Sequence, residues 1–178
     1  MNVILSPFED CFLLKPHVIE DERGYFFESF NQEKFNKATG LSAGFVQDNQ
    51  SFSSYGVIRG LHSQVGEFAQ AKLVRVLQGE VLDVIVDARK GSATYGKSYT
   101  VRLSAENKLQ LFVPRGFYHG FAVLSETAEF FYKCDNFYNR DSERGIHYAD
   151  PSLSIDWLIE EENRIITGKD LALPLFTK

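Results

Sequence analysis

Lys72-Leu73-Val74-Arg75-Val76-Leu77-Gln78-Gly79-Glu80-Val81-Leu82-Asp83-Val84-Ile85-Val86-Asp87 carries the clearest strand signal in the sequence. Its two halves are rich in β-branched residues and alternate in polarity, the pattern of strands rather than helices. The Gln78-Gly79 joint between them reads as the turn of a β-hairpin. Short runs of the same kind recur on both sides, set off by turn signals, at 25–30, 45–49, 57–59, 98–103, 109–113, 120–124, 128–134 and 155–157. In the first half only 31–39 reads as a helix, with Ser29 and Gln32 spaced as a capping box and Gly40 as its stop. Many close strands with few, short, peripheral helices predict an all-β, jelly-roll-like β-barrel.

Composition sets the outer limits. The 178 residues, 44% hydrophobic and 24% charged, suit one globular domain over 1–178 with a sizeable core. Nineteen basic against 24 acidic side chains leave a net charge of −5. That balance argues against nucleic acid as a partner but leaves room for one small anionic ligand held by a local basic cluster. Sixteen Phe and eight Tyr against one Trp reinforce the strand reading. Cys11 and Cys134 are too few and too far apart for a disulfide framework, and read as buried reduced thiols. The first residues, MNVILSPFEDCF, lack the basic start of a signal peptide, and no run approaches the ~18 apolar residues of a membrane helix. The expectation is a cytoplasmic protein with no membrane association.

Four histidines are present: His17, His62, His119 and His147. Two of them stand out: His62 after Arg59-Gly60-Leu61, and His119 within Pro114-Arg115-Gly116-Phe117-Tyr118-His119-Gly120, a Gly- and Pro-punctuated segment at the entrance to an apolar strand. A barrel with two such histidines invites a metal site. The ligand pattern would need a further His at position 64, where Gln64 stands, and the next acid is Glu67. Two separated histidines make a poor closed site, so no metal or other cofactor is expected.

The other use of His62 is as a proton-transfer base, with a carboxylate partner to fix its tautomer. Asp83, Asp87 and Asp170 are the candidates. Alternation puts Asp83 on the face of Val81 and Ile85, directed into the barrel. Thr167-Gly168-Lys169-Asp170 has the spacing of a capping box, and on spacing alone Asp170 reads as a cap. Arg23, Arg59, Lys72 and Arg75 lie in strand-like segments, with Lys72 on the face of Val74 and Val76 and Arg75 on the other. Arg59 and His62 differ by three, so a bulge at Gly60 is needed to bring them together. Glu28 reads equally as an inward anchor or an edge charge, and Tyr132 as a core tyrosine or a functional one.

Taken in order, the motifs carry more. Asp21-Glu22-Arg23-Gly24, Phe27-Glu28, Phe45-Val46-Gln47-Asp48-Asn49, Arg59-Gly60-Leu61-His62 and Gln70-Ala71-Lys72-Leu73-Val74-Arg75-Val76 are followed by Gly79–Asp87. Leu103-Ser104-Ala105-Glu106-Asn107, Pro114–Phe121, Tyr132-Lys133, Glu143-Arg144-Gly145-Ile146 and Lys169-Asp170 complete the series. Over nearly its whole length the chain resembles the dTDP-4-dehydrorhamnose 3,5-epimerase family. The resemblance implies a metal-free, cupin-like jelly roll and a homodimer that exchanges strand segments. It implies a nucleotide-sugar substrate, dTDP-4-dehydro-6-deoxyglucose, inverted at C3 and C5. By the same resemblance His62 is the base oriented by Asp170, Tyr132 the acid on the opposite face, and Lys72 the stabiliser of the enolate oxygen. Arg23, Glu28, Gln47, Asp48, Asn49, Arg59, His119, Glu143 and Lys169 fall among nucleotide-sugar contacts, with Tyr138 at the thymine-stacking position. Two residues depart from the family pattern: Ser63 stands for an aromatic and Tyr118 for a small residue, and both are expected to reshape the sugar pocket. A C3-only or C5-only epimerase is the alternative within the family, and a non-catalytic sugar-binding jelly roll the alternative outside it.

Overall fold

The computed structural model describes residues 1–177. Its strands are β1 (Asn2–Leu5), β2 (Phe12–Lys15), β3 (Ile19–Asp21), β4 (Gly24–Phe26), β5 (Gln47–Ser54), β6 (Ile58–Gln64) and β7 (Lys72–Gln78). They continue with β8 (Glu80–Asp87), β9 (Ser98–Ser104), β10 (Gln110–Val113), β11 (Phe117–Val123), β12 (Thr127–Cys134) and β13 (Glu143–Gly145). Two helices, α1 (Gln32–Thr39) and the single turn α2 (Gly168–Leu171), are peripheral. A six-stranded sheet in the order β1-β2-β10-β7-β12-β5 faces a five-stranded sheet in the order β13-β6-β11-β8-β9, and β3–β4 form a separate hairpin. All pairings between these strands are antiparallel. This is the expected all-β jelly roll. No helix of the described residues is long and apolar enough to cross a membrane.

The 72–87 stretch is two strands, but not a hairpin. β7 pairs with β10 and β12, whereas β8 pairs with β11 and β9 in the other sheet. Each strand already has two neighbours, so the chain turns a corner between sheets at Gly79. Its φ of +76° is one that glycine adopts without strain, and an added Cβ would lie 2.1 Å from the Thr127 carbonyl oxygen. The Ser125 hydroxyl accepts from the Glu80 N–H (2.8 Å) and pins the corner. Alternation alone does not distinguish a corner from a hairpin, because both need a glycine-bearing joint.

Three apolar layers result. Between the sheets lie Val74, Val76, Val81, Ile85, Leu111, Phe121, Val123 and Phe130. The outer face of the five-stranded sheet (Ile58, Leu61, Leu82, Val84, Val86) is covered by Ile146, Leu153, Trp157 and Ile159. Covered on both sides, β8 is buried from Val81 to Asp87, which explains its near-continuous apolar sequence. The 155–157 segment is therefore a cover and not the expected strand; its Trp157 indole N–H donates to the Tyr148 carbonyl at 2.9 Å. Phe35 of α1 covers Leu14, Leu73 and Phe112 on the outside of the six-stranded sheet.

Other local expectations shift by small amounts. The strand read over 25–30 ends at Phe26, and that over 45–49 begins at Gln47. The α1 cap is Asn31, whose side chain accepts from the Lys34 N–H at 3.0 Å, in place of the Ser29–Gln32 box. Gln32 instead donates to the Ala43 carbonyl, and Gly40, with φ +74°, stops the helix as expected. Cys11 and Cys134 are buried free thiols.

Candidate active site

A cleft of about 380 Å³ opens between the two sheets, its walls carrying Arg59, His62, Lys72, His119, Tyr132 and Asp170. An adjoining recess of about 290 Å³ shares His62, Lys72 and Tyr132 and continues to Gln47, Asn49, Ser63, Tyr138 and Glu143.

One wall is built by β6 and β11. His119 pairs with His62 and Phe121 with Arg59, so two steps along β11 answer three along β6. That is a bulge on β6, and it puts Arg59 and His62 into the same cleft. Glycine makes it possible: a Cβ at Gly60 would lie 2.6 Å from the Gly120 Cα, and one at Gly120 2.5 Å from the Arg59 carbonyl oxygen. The bulge expected at Gly60 is thus present. Arg59 reaches across to the edge of the other sheet, its Nε donating to the Ser53 hydroxyl at 3.0 Å.

His62 Nε2 lies 2.7 Å from Asp170 Oδ1, and Asp170 Oδ2 accepts from the Gly60 N–H at 3.3 Å. With Nε2–H engaged by a carboxylate only 5% exposed, the Nδ1 lone pair of His62 is the one available to a ligand. The capping reading of Asp170 is half right. Its backbone N–H is capped by the Thr167 hydroxyl (3.2 Å), while its carboxylate serves His62. Asp83 points into the barrel as alternation predicted, but its partner is His119, at 3.0 Å. Asp87 is no partner of His62 either; it accepts from Arg89, Ser92 and Thr94 at the far end of β8. Burial works against its charge, and those hydrogen bonds outweigh it, bringing the carboxyl down to about 2.

The facing wall is built by β7 and β12. Lys72 and Tyr132 project inward, the Lys72 ammonium 5.7 Å from the Tyr132 ring centre. Burial lowers the Lys72 pKa, and burial chiefly raises that of Tyr132, helped by Cys134 and Glu143. Arg75 takes the opposite face of β7, between the rings of Phe27 and Phe131. The floor is aromatic: Phe130 stacks on Phe121 with centroids 4.2 Å apart and lies 6.0 Å from His119. These two phenylalanines read in sequence only as core.

At the mouth, Glu143 accepts from Lys169 (2.8 Å) and from the Tyr138 hydroxyl (3.3 Å), and Gln47 accepts from the Tyr138 N–H. Burial opposes the Glu143 charge, but Lys169 holds its carboxyl below the usual range. Tyr138 is 57% exposed. Three expected contacts lie elsewhere. Asp48 alternates with Gln47 and Asn49, faces outward and pairs with Lys133 at 2.8 Å. Glu28 pairs with Lys34, and Arg23 with Asp21 on the exposed β3–β4 hairpin. Ser63 lines the recess, whereas Tyr118 does not line the cleft; it packs edge-on to Phe176 on the far side of β11. Among the described residues no group of three or more His, Cys, Asp or Glu side chains converges as metal ligands do.

Comparisons with known proteins bear on the chain as a whole. A family model described as dTDP-4-dehydrorhamnose 3,5-epimerase matches residues 6–178. The dTDP-4-dehydrorhamnose 3,5-epimerase of Shigella flexneri is 53% identical over 171 residues, spanning 96% of this chain and 93% of the relative. The crystal structure of the enzyme of that name from Elizabethkingia anophelis superposes with a TM-score of 0.95 at 58% identity, over 99% of this chain and 96% of the other. A 3,5-epimerase from Legionella pneumophila, solved in complex with dTDP-4-keto-L-rhamnose, gives 0.93 at 47% identity, over 98% and 92%. With the motifs in order, the jelly roll matched and identity near one half across the whole length, the chain belongs to the dTDP-4-dehydrorhamnose 3,5-epimerase family.

Proposed function

We propose that this chain, acting as one jelly-roll domain, epimerises dTDP-4-dehydro-6-deoxy-D-glucose at C3 and C5 through enolates, with His62 as base and Tyr132 as acid. The observation that carries the reading is the placement of the His62–Asp170 pair and of Tyr132 on facing walls of one cleft. A ketone at C4 acidifies the hydrogens on both adjacent carbons. Removing one gives an enolate, and returning a proton from the opposite face inverts the carbon. His62 Nδ1 takes the proton, with Asp170 fixing the ring and stabilising the imidazolium. Tyr132, its phenol kept protonated by burial, delivers the new one. Lys72 places positive charge on the wall where the enolate oxygen develops. Arg59 and Lys169 meet the diphosphate, His119 the sugar, and Gln47, Asn49, Glu143 and the exposed face of Tyr138 the nucleoside. No step in this chemistry draws on a metal or redox cofactor.

Arg23 and Glu28 enter this scheme from a second copy, in a homodimer that exchanges strand segments. Two features support that. The β3–β4 hairpin pairs with no other strand of the described residues and leaves Tyr25 60% and Phe26 70% exposed. The β5 strand, which carries Gln47 and Asn49, is an open edge of its sheet. Light scattering is expected to give twice the chain mass; a monomer at working concentration would remove this part of the scheme.

The reading is tested by giving the enzyme dTDP-4-dehydro-6-deoxy-D-glucose and assigning the product at C3 and C5 by NMR. Inversion at both centres, unchanged by chelator, is expected. Inversion at one selects the single-centre alternative, and unaltered substrate contradicts both. The same assay followed across pH probes Lys72. Burial lowers its pKa from the ordinary 10.5, so with rising pH Lys72 loses its charge earlier than a free lysine would. The alkaline fall in rate is expected below pH 10.5 and is expected to move upward in Lys72→Arg, because guanidinium keeps its proton. An unmoved limb would show that Lys72 does not set it.

A further inference from the structure

We propose that the segment after α2, residues 172–177, is a strap that holds Asp170 against His62, and that Tyr118 and Phe176, which anchor it, are positioning residues for the reaction. This rests on the reading of His62–Asp170 as the base.

The need for a strap follows from α2 itself. It is one turn long, and an isolated turn does not hold its own conformation. On its N-terminal side the chain is fixed to the five-stranded sheet, where Ile165 accepts from the Ile58 N–H (3.0 Å) and donates to the Gly56 carbonyl (2.9 Å). On its C-terminal side the strap supplies the second tether.

That tether is made at successive points. Leu173 sits on Gly145, the register partner of His62; a Cβ at Gly145 would lie 2.7 Å from both Leu173 methyls. The Pro174 carbonyl accepts from the His147 N–H at 2.8 Å. The Phe176 N–H donates to Oδ2 of Asp150, a carboxylate only 4% exposed. The Phe176 ring meets Tyr118 edge-on, centroids 6.3 Å apart at 87°, and lies 5.3 Å from the Tyr95 ring. The Tyr95 hydroxyl then donates to the Thr177 carbonyl at 3.1 Å. Tyr118 precedes His119 on β11, so one strand presents His119 to the cleft and Tyr118 to the strap. Asp170 is suspended between these two fixed lengths of chain, and its 2.7 Å contact with His62 depends on both.

The experiment compares Phe176→Ala, Tyr118→Ala, Tyr118→Phe, Asp170→Ala and the double variant Phe176→Ala/Asp170→Ala. For each, KM and the rate of deuterium uptake at C3 and C5 are measured in heavy water, with thermal melting recorded alongside. Phe176→Ala and Tyr118→Ala are expected to slow uptake roughly 10- to 100-fold, the scale of a small misplacement at a reacting centre, with KM nearly unmoved. Tyr118→Phe, which keeps the ring, is expected to recover most of the rate. In the Asp170→Ala background Phe176→Ala is expected to cost nothing more, because its effect passes through Asp170. An equal loss in both backgrounds would overturn the proposal, as would full activity of folded Phe176→Ala. Should Phe176→Ala fail to fold, the same comparison is made with Tyr118→Ala. If Asp170→Ala itself leaves uptake unchanged, the reading of the base falls; if only the strap variants are silent, the strap alone falls.

Discussion

Replacing His62 by Ala is expected to end exchange at both C3 and C5 of the 4-keto sugar, a loss of about 10²–10⁴-fold or more, the usual contribution of a positioned base. Both positions fall together because one imidazole is assigned as base for both carbons, that of His62, whose side chain is 28% exposed. The other histidine there, His119, is 7% exposed and gives its Nε2 to Asp83, and it lies beside the Phe130 ring. Binding of dTDP is expected to survive, since the contacts proposed for the nucleotide come from Gln47, Asn49, Tyr138, Glu143 and Lys169 at the mouth. Calorimetry with dTDP separates the two effects. Retained exchange in a folded His62→Ala variant would assign the base elsewhere.

The second large effect is qualitative. In Tyr132→Phe the base is intact and the acid on the facing wall is gone. His62 still removes a proton and returns a deuteron to the same face, so recovered substrate gains deuterium while its configuration is kept. Inversion is expected to fall by about 10²–10⁴-fold, and exchange by much less. The ring itself stays, and with it the contact to Phe130, so the fold has little reason to change. Loss of exchange and inversion in equal measure would indicate that Tyr132 acts before the enolate, and not after it.

Much of this site is legible in the sequence, for definite reasons. Alternation in β7 places Lys72 inward and Arg75 outward, and in β8 it sends Asp83 into the barrel, because strand geometry alone fixes which face a residue takes. Glycine between Arg59 and His62 announces the bulge that unites them. What alternation does not carry is which carboxylate a histidine will meet. Asp170 is 108 residues from His62, and its local spacing signals only a cap. The resemblance to the family, and not the local pattern, pointed to it. The same limit explains the corner at Gly79: a glycine joint looks alike whether its strands return to one sheet or enter two. Tyr118 was expected in the sugar pocket and lies behind it, since neighbouring residues on β11 take opposite faces and His119 holds the inner one. Within one chain Arg23 and Glu28 pair with Asp21 and Lys34 and do not line the cleft, which is why the dimer enters the scheme.

One base and one facing acid are proposed to act at two carbons on either side of a ketone. Wild-type turnover in heavy water, with deuterons counted at C3 and C5, tests this. Deuterium is expected at both carbons of the inverted product, with none elsewhere on the ring. Product that keeps its original hydrogen at either carbon would contradict it.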